Sequence, residues 1–228
     1  DISSWQNGIN LAVVPCDFVV IKATEGINYV NPDYMRAYEQ AKTAGKCLGI
    51  YHYANGGNIQ AEADYFLGNV GNRLGEAMLV LDWEAGNNSS FGNCDYAWCK
   101  SWLDYVYRKT GVHPILYCSQ SIAYKFDNIG NYGLWIAQYA NNDPTGYQDT
   151  PWNEGEYTCA IRQYTSCGRL PGYAGNLDLD KFYGSKEDWG KYTVSDKTNV
   201  VVPEQPEAPK PATVTPEGST LDLAYKTM

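Results

Sequence analysis

Two carboxylates two residues apart, Asp82 and Glu84 in Leu81-Asp82-Trp83-Glu84, close a short apolar run. Side chains alternate along a strand, so the pair would share one face, roughly 7 Å apart at the backbone, while Trp83 turns to the other. That arrangement suits glycoside hydrolysis. One carboxyl stays protonated as the acid, and the other supports the positive charge of the transition state. The same residues also fit two solvated acids where a strand enters a loop. The seven Cys form no pair of C-x-x-C motifs, and His52 and His113 lie far apart, so no metal and no cofactor is expected.

Elements must bring such a pair to a shared rim. Residues 18–23, 48–53, 78–82, 114–118 and 134–139 are short apolar runs of strand character, with 159–164 and 177–182 following late. Helical patterns lie between them. Asn31-Pro32-Asp33 supplies an N-cap, a first-turn proline and a first-turn acid. Tyr34, Ala37, Tyr38, Ala41 and Ala44 follow at helical spacing until Gly45 stops the helix. Ala63, Phe66, Leu67 and Val70 mark a second apolar face, and residues 94–109 a third, with Cys99, Trp102, Leu103 and Val106 inward. Alternating strands and helices imply parallel βα units. Turn residues replace helices in the last third. The expected fold is therefore α/β: a distorted, incomplete (β/α) barrel with hairpin strands in the last third. In a parallel barrel the C-terminal strand ends line the active site, which is where Asp82 and Glu84 fall.

One domain is expected over residues 1–194. Pro203, Pro206, Pro209, Pro211 and Pro216 mark 195–219 as an extended linker. Residues 220–228 turn apolar at helical spacing and read either as an unstructured tail or, the preferred expectation, as the start of a C-terminal module. The N-terminus lacks the basic and apolar regions of a leader, and without an initiator Met the chain is expected to have been processed or trimmed.

The net charge of −9 argues against nucleic acid and anionic membrane surfaces as partners. No apolar stretch approaches the roughly 18 residues of a membrane span, so no membrane insertion is expected. The 20 Tyr exceed what a core easily satisfies, because each buried hydroxyl needs a partner. Some of these rings, with some of the 7 Trp, are expected to line a groove and stack on sugar faces. Cys47 and Cys118 read as small buried hydrophobes. Cys94 with Cys99, and Cys159 with Cys167, are near enough to pair, although free thiols are the preferred reading.

Six ordered segments carry a resemblance: Asp1-Ile2-Ser3-Ser4-Trp5-Gln6, Phe18-Val19-Val20-Ile21-Lys22-Ala23-Thr24-Glu25-Gly26, Gly49-Ile50-Tyr51-His52-Tyr53, Leu81-Asp82-Trp83-Glu84, Leu134-Trp135-Ile136-Ala137-Gln138-Tyr139, and Gln163-Tyr164 followed by residues 175–182. The chain resembles the Chalaropsis-type lysozymes, glycoside hydrolase family 25, over residues 1 to about 185. The resemblance implies a muramidase that cuts the β-1,4 bond between N-acetylmuramic acid and N-acetylglucosamine in peptidoglycan, with retention and help from the substrate acetamide. It implies Glu84 as general acid and Asp82 as the carboxylate that orients substrate or steadies the charged intermediate; Asp82 as direct nucleophile stays open. It implies Asp1 and Asp178 as two further acids of the groove, with Asp178 favoured over Asp180 on the same face. Tyr51, Tyr53, Tyr117, Trp135, Tyr139 and Tyr164 are the candidate sugar-binding rings. His52 is expected to be structural, since the mechanism has no task for it. A monomer acting on glycan strands of the bacterial cell wall is expected, from a phage or prophage endolysin released from its host or otherwise secreted. The alternatives are another acetamido-sugar glycosidase (a glucosaminidase or a chitinase-like enzyme, whose longer D-x-x-D-x-D-x-E motif is absent) and a non-catalytic wall-binding domain, which would be expected to have lost one of the four acids.

Overall fold

Strands covered on both faces are apolar throughout rather than alternating, and β4 (Ala77–Asp82) is buried at all six residues. The computed structural model describes residues 1–196. There, β4 lies within an eight-stranded curled sheet of order β2-β1-β3-β4-β5-β6-β7-β8. Its companions are β1 (Phe18–Glu25), β2 (Tyr29–Val30), β3 (Cys47–Tyr53), β5 (Ile115–Ser119), β6 (Gly133–Ala137), β7 (Ile161–Gly168) and β8 (Leu177–Phe182). From β1 through β3, β4, β5 and β6 to β7 every pairing is parallel, and β8 turns back antiparallel on β7. This is the expected incomplete barrel, with two differences. A two-residue strand, too short to show any period, makes a second hairpin of β1 and β2. β6 and β7 stay parallel although residues 138–160, which connect them, contain no helix.

Helices α1 (Tyr34–Thr43), α2 (Ile59–Val70) and α3 (Asp95–Thr110) cross between successive parallel strands, with two short helices, α4 (Gln120–Ala123) and α5 (Lys186–Lys191), added late. The N-cap of α1 falls two residues past the position read at Asn31, whose Oδ1 instead accepts the backbone N–H of Asp33. Asp33 is the N-cap residue by position, but its carboxylate pairs with Arg36 and takes the Gly8 N–H. α3 buries the four residues expected of it, together with Asp95, Trp98 and Thr110, and ends at Gly111 in the left-handed region.

Strand alternation splits the core into two layers. Val20, Tyr51, Met78, Val80, Ile115, Tyr117 and Trp135 fill the barrel lumen. Ile21, Ile50, Leu79, Leu81, Leu116 and Cys118 face outward and pack with Phe66, Trp102, Leu103 and Val106. The seven Cys are all free thiols; Cys94, the N-cap residue of α3, is exposed, and Cys99 within the helix is buried. Among the described residues, no helix is long and apolar enough to cross a membrane.

The sheet is not closed by a ladder between β1 and β8. The N-terminal segment enters that seam instead: Ile2 N donates to Val20 O, Lys22 N donates to Ile2 O, and the Asp1 amino group reaches Asp178 O on β8. At the opposite pole, Trp189 of α5 stoppers the lumen. Its indole N–H donates to Leu48 O, and its ring packs on Phe18 and Phe182. Past Val194 the chain stays attached for two residues. Asp196 N donates to Gly111 O, and its carboxylate accepts from Tyr107 and lies 3.0 Å from His113 Nε2. The remainder of the linker read at 195–219, and the segment 220–228, lie outside the described residues.

Because Trp189 fills the pole away from the carboxylates, Trp189→Ala should cost about 3–5 kcal/mol and lower the melting temperature by roughly 6–20 °C. Turnover measured well below the new midpoint should stay near normal. Calorimetry with a rate assay checks both halves.

Candidate active site

β4 delivers Asp82 to the lumen side at its C-terminal end, because Met78 and Val80 face that way and Asp82 keeps the period. Glu84 follows two residues later, just past the ladder. Both line a cavity of about 260 Å³ at this pole, together with Asp1, Asp178, Tyr51, Tyr53, Tyr117, Trp135 and Tyr139. All but one of the residues singled out in the sequence therefore meet in one place.

The exception is Tyr164. Its ring is buried in the outer layer, and its hydroxyl accepts the Gln148 N–H. On β7 the neighbour Gln163 faces the cavity instead, since adjacent strand residues point to opposite faces. Gln163 organises the site: its Oε1 accepts the hydroxyls of Tyr117 and Tyr139, and its Nε2 donates to Asp1 Oδ2. Period-two alternation puts Gln163 and Tyr164 on opposite faces, and the fold decides which is which by turning Tyr164, with Arg162, away from the lumen.

Sequence reading also passed over Ser3, Trp5 and Lys22, which line the cavity. Trp5 is 89% exposed at the rim and Tyr139 38% exposed, so both have open ring surface to stack on a sugar. Tyr51, Tyr117 and Trp135 are buried and form the walls. Trp135 also holds a neighbouring acid, its indole N–H donating to Asp180 Oδ1 at 2.9 Å. Asp180 is not among the cavity-lining residues; its other oxygen faces the Asp1 amino group at 2.9 Å. Asp178 is the β8 acid that lines the cavity.

Loops are fixed from below. The Tyr53 hydroxyl donates to Gly86 O in the loop after Glu84, so closely that a Cβ at Gly86 would lie 2.6 Å from the oxygen. His52 is buried with Nδ1 2.8 Å from Thr24 Oγ1 and Nε2 3.1 Å from Glu62 Oε2. Glu62 also accepts the N–H groups of Asn55 and Gly57, which pins the loop between β3 and α2. Burial holds the His52 imidazole below its usual pKa. This is a structural role, outside the cavity.

Burial dominates the electrostatics. It pushes the Asp82 carboxyl well above the usual range, with Glu84 adding repulsion, and one oxygen of Asp82 is buried without a hydrogen-bond partner. Burial also raises Glu84, against the pull of the Tyr117 hydroxyl and of Lys22. Asp178 is raised to about 6 by burial and by the acids around it, against the Asp1 amino group. Lys22 is the one basic side chain among the described residues lining the cavity; it pairs with Glu25 at 2.6 Å and sits 4.4 Å from the Tyr53 ring centre. No metal-ligating cluster occurs among the described residues. Such a site can hold a proton on one carboxyl while its neighbour stays charged, beside aromatic surface suited to a sugar ring.

A raised carboxyl has a definite thermodynamic sign. The folded state binds that proton more tightly than the unfolded chain, whose Asp titrates near about 3.9. Stability is therefore lost as pH rises from there through the folded value. Asp82→Asn should raise the melting temperature at pH 7 by a few degrees, at roughly 2–4 °C per kcal/mol. The gain should disappear below about pH 4. Melting curves of the two proteins across pH test this, and a lower midpoint for Asp82→Asn at pH 7 contradicts it.

The comparisons with known proteins agree with this geometry. Residues 1–173 match the family described as Glycosyl hydrolases family 25. The N,O-diacetylmuramidase of a Chalaropsis species is 37% identical over 137 residues, which is 53% of this chain and 65% of that protein. Lysozyme M1 of Streptomyces globisporus is 29% identical over 205 residues, 81% of this chain and 67% of that protein. The solved bacterial lysozyme from Streptomyces coelicolor superimposes with a TM-score of 0.68 at 28% identity, covering 85% of this chain and 94% of that one. The catalytic domain of a Listeria monocytogenes bacteriophage endolysin does so with 0.68 at 27% identity, covering 86% and 96%. Since the family match spans more than half of the sequence and contains Asp82 and Glu84, the chain belongs to glycosyl hydrolases family 25.

Proposed function

We propose that the protein is a muramidase that cuts the β-1,4 bond between N-acetylmuramic acid and N-acetylglucosamine, with Glu84 as general acid and Asp82 as the charge that steadies the intermediate. Family membership makes the chain a glycoside hydrolase of the lysozyme class, acting on peptidoglycan. The observation that carries the finer reading is the buried Asp82–Glu84 pair at the lumen end of β4, both raised in pKa, in a cavity with stacking surface at Trp5 and Tyr139.

In this reading Glu84 gives its proton to the leaving glycosidic oxygen as the C1–O bond breaks. The acetamide oxygen of the same sugar forms the new bond to C1, and Asp82 offsets the positive charge on that ring. Water then attacks C1, its proton returns to Glu84, and the acetamide re-forms, so configuration is retained. Asp1 and Asp178 add negative charge around the sugar, and Gln163 holds Asp1 in place. Asp82 and Glu84 titrate as a pair, and burial without a partner favours the proton on Asp82 before substrate binds. The assignment requires the bound sugar to leave that proton on Glu84 with Asp82 charged, so turnover falls as pH rises through the raised titration of the pair.

The test is mass spectrometry of digested peptidoglycan. Muramic acid at the new reducing end supports the proposal, and glucosamine there converts it to a glucosaminidase. Glu84→Gln should lower turnover by about a hundredfold or more while the protein stays folded. Near-normal clearance of cell walls by folded Glu84→Gln overturns the assignment.

Residues 197–219 are proposed to be a linker leading to the start of a further module at 220–228. The support is the run of five prolines between 203 and 216. Cutting after Asp196 should leave both the melting temperature and the rate on soluble glycan fragments close to those of the full chain. A large fall in either shows that the segment belongs to the catalytic domain.

A further inference from the structure

Glu84 lies one residue beyond the last sheet contact of β4. The parallel ladder with β5 ends at the pair Asp82–Tyr117, and one more bond, Trp83 N to Tyr117 O, follows it. Trp83 is therefore the final anchored residue before the acid, and its side chain points away from the cavity into the outer core. There the indole N–H donates to Asp95 Oδ1 at 2.8 Å, and the ring packs on Trp98 and Phe91.

Asp95 does more than accept that bond. The same oxygen accepts the Gly92 N–H at 2.8 Å, and the other oxygen lies 2.5 Å from Lys125 Nζ. One buried carboxylate at the first turn of α3 thus joins three segments: the end of β4, the loop that returns from Glu84 to α3, and the turn after α4. Burial alone would raise this carboxyl, but Lys125, Gly92 and Trp83 together hold it below the usual range, so it stays charged. Charge-assisted hydrogen bonds are directional and about twice as strong as neutral ones. Packing alone would leave the indole free to rock, whereas these bonds set its angle. Rotation at Trp83 would swing Asp82 and Glu84, its two chain neighbours.

We propose that Asp95 is a positioning residue that, by clamping Trp83 from behind the sheet, sets the direction in which Asp82 and Glu84 enter the cavity. The proposal rests on those two acids being the reacting pair, and it adds a residue that touches neither substrate nor cavity. Displacements of about 1 Å at a reacting group cost up to a hundredfold in rate, so a loosened clamp should show in turnover rather than in binding.

Four variants test it: Asp95→Asn, Trp83→Phe, their combination, and Lys125→Met. Each is assayed on soluble glycan fragments below its own melting temperature, with kcat and KM resolved across pH. Asp95→Asn and Trp83→Phe should each lower kcat roughly tenfold, with KM changed less than twofold and the alkaline limb of the kcat profile displaced as Glu84 shifts. The combination should fall no further than the worse single variant, because both remove one interaction. Lys125→Met, which leaves the Asp95 side chain in place, should lower kcat with the same unchanged KM, and it decides the matter if Asp95→Asn does not fold. Unchanged kcat and pH profile in folded Asp95→Asn or Lys125→Met overturns the proposal. So does a multiplicative, roughly hundredfold loss in the combined variant, which would mean the two residues act separately. Failure of Glu84→Gln to lose activity is a different result, and it removes the reacting pair rather than the clamp.

Discussion

Negative charge crowded into a low-dielectric cleft is the constraint around which this molecule is arranged. Asp82, Glu84, Asp1 and Asp178 line one small cavity, with Asp180 directly behind. Carboxylates so placed repel one another and resist ionisation. The surroundings hold them where they are by contacts from several parts of the chain. Gln163 fixes Asp1, Trp135 and the Asp1 amino group fix Asp180, and Lys22 and Tyr117 temper Glu84. Asp82 receives the least help, with one oxygen unpartnered. That is the signature of a group held for chemistry at some expense to stability.

The barrel meets this constraint by separating its two faces. Lumen residues supply the cavity floor and walls, and outer residues supply rigidity. The end of β4 shows both within three residues: Asp82 and Glu84 in the cavity, and Trp83 held on the other side by Asp95 and Trp98 of α3. β3 repeats the arrangement, with Tyr51 and Tyr53 lining the cavity around His52, whose ring is buried against Phe66 and Trp102. A side chain directed away from the cavity thus steadies each pair directed into it.

The abundance of tyrosine has a related explanation. Hydroxyls of Tyr38, Tyr105, Tyr132 and Tyr183 donate to carboxylates of Glu76, Asp64, Asp104 and Glu154 on the outside of the barrel. Those of Tyr117 and Tyr139 meet at Gln163 inside. In an acidic chain, phenols serve as neutral donors to carboxylates where cations are scarce. Few of the rings are therefore free for substrate, and the exposed Trp5 and Tyr139 stand out.

Local pattern was enough to read much of this from the chain. Apolar runs and helical spacing gave the strands, the crossover helices and the barrel class, because periods of 2.0 and 3.6 are properties of neighbouring residues. The spacing of Asp82 and Glu84 likewise placed both on one face at a strand end, and motif order brought in Asp1 and Asp178. Contacts across the chain were not legible in that way. The two-residue β2 has no period, Tyr164 and Gln163 could be told apart only once the facing of β7 was known, and Asp180 differs from Asp178 only in what stands behind it. Asp95 carries no signal of its own in the sequence, and only the fold sets it between Trp83 and Lys125. Composition and periodicity determined which elements form and which face each presents. Closure of the barrel decided which side chains meet, because register and curvature couple residues up to 179 positions apart, as in the Asp1–Asp180 contact.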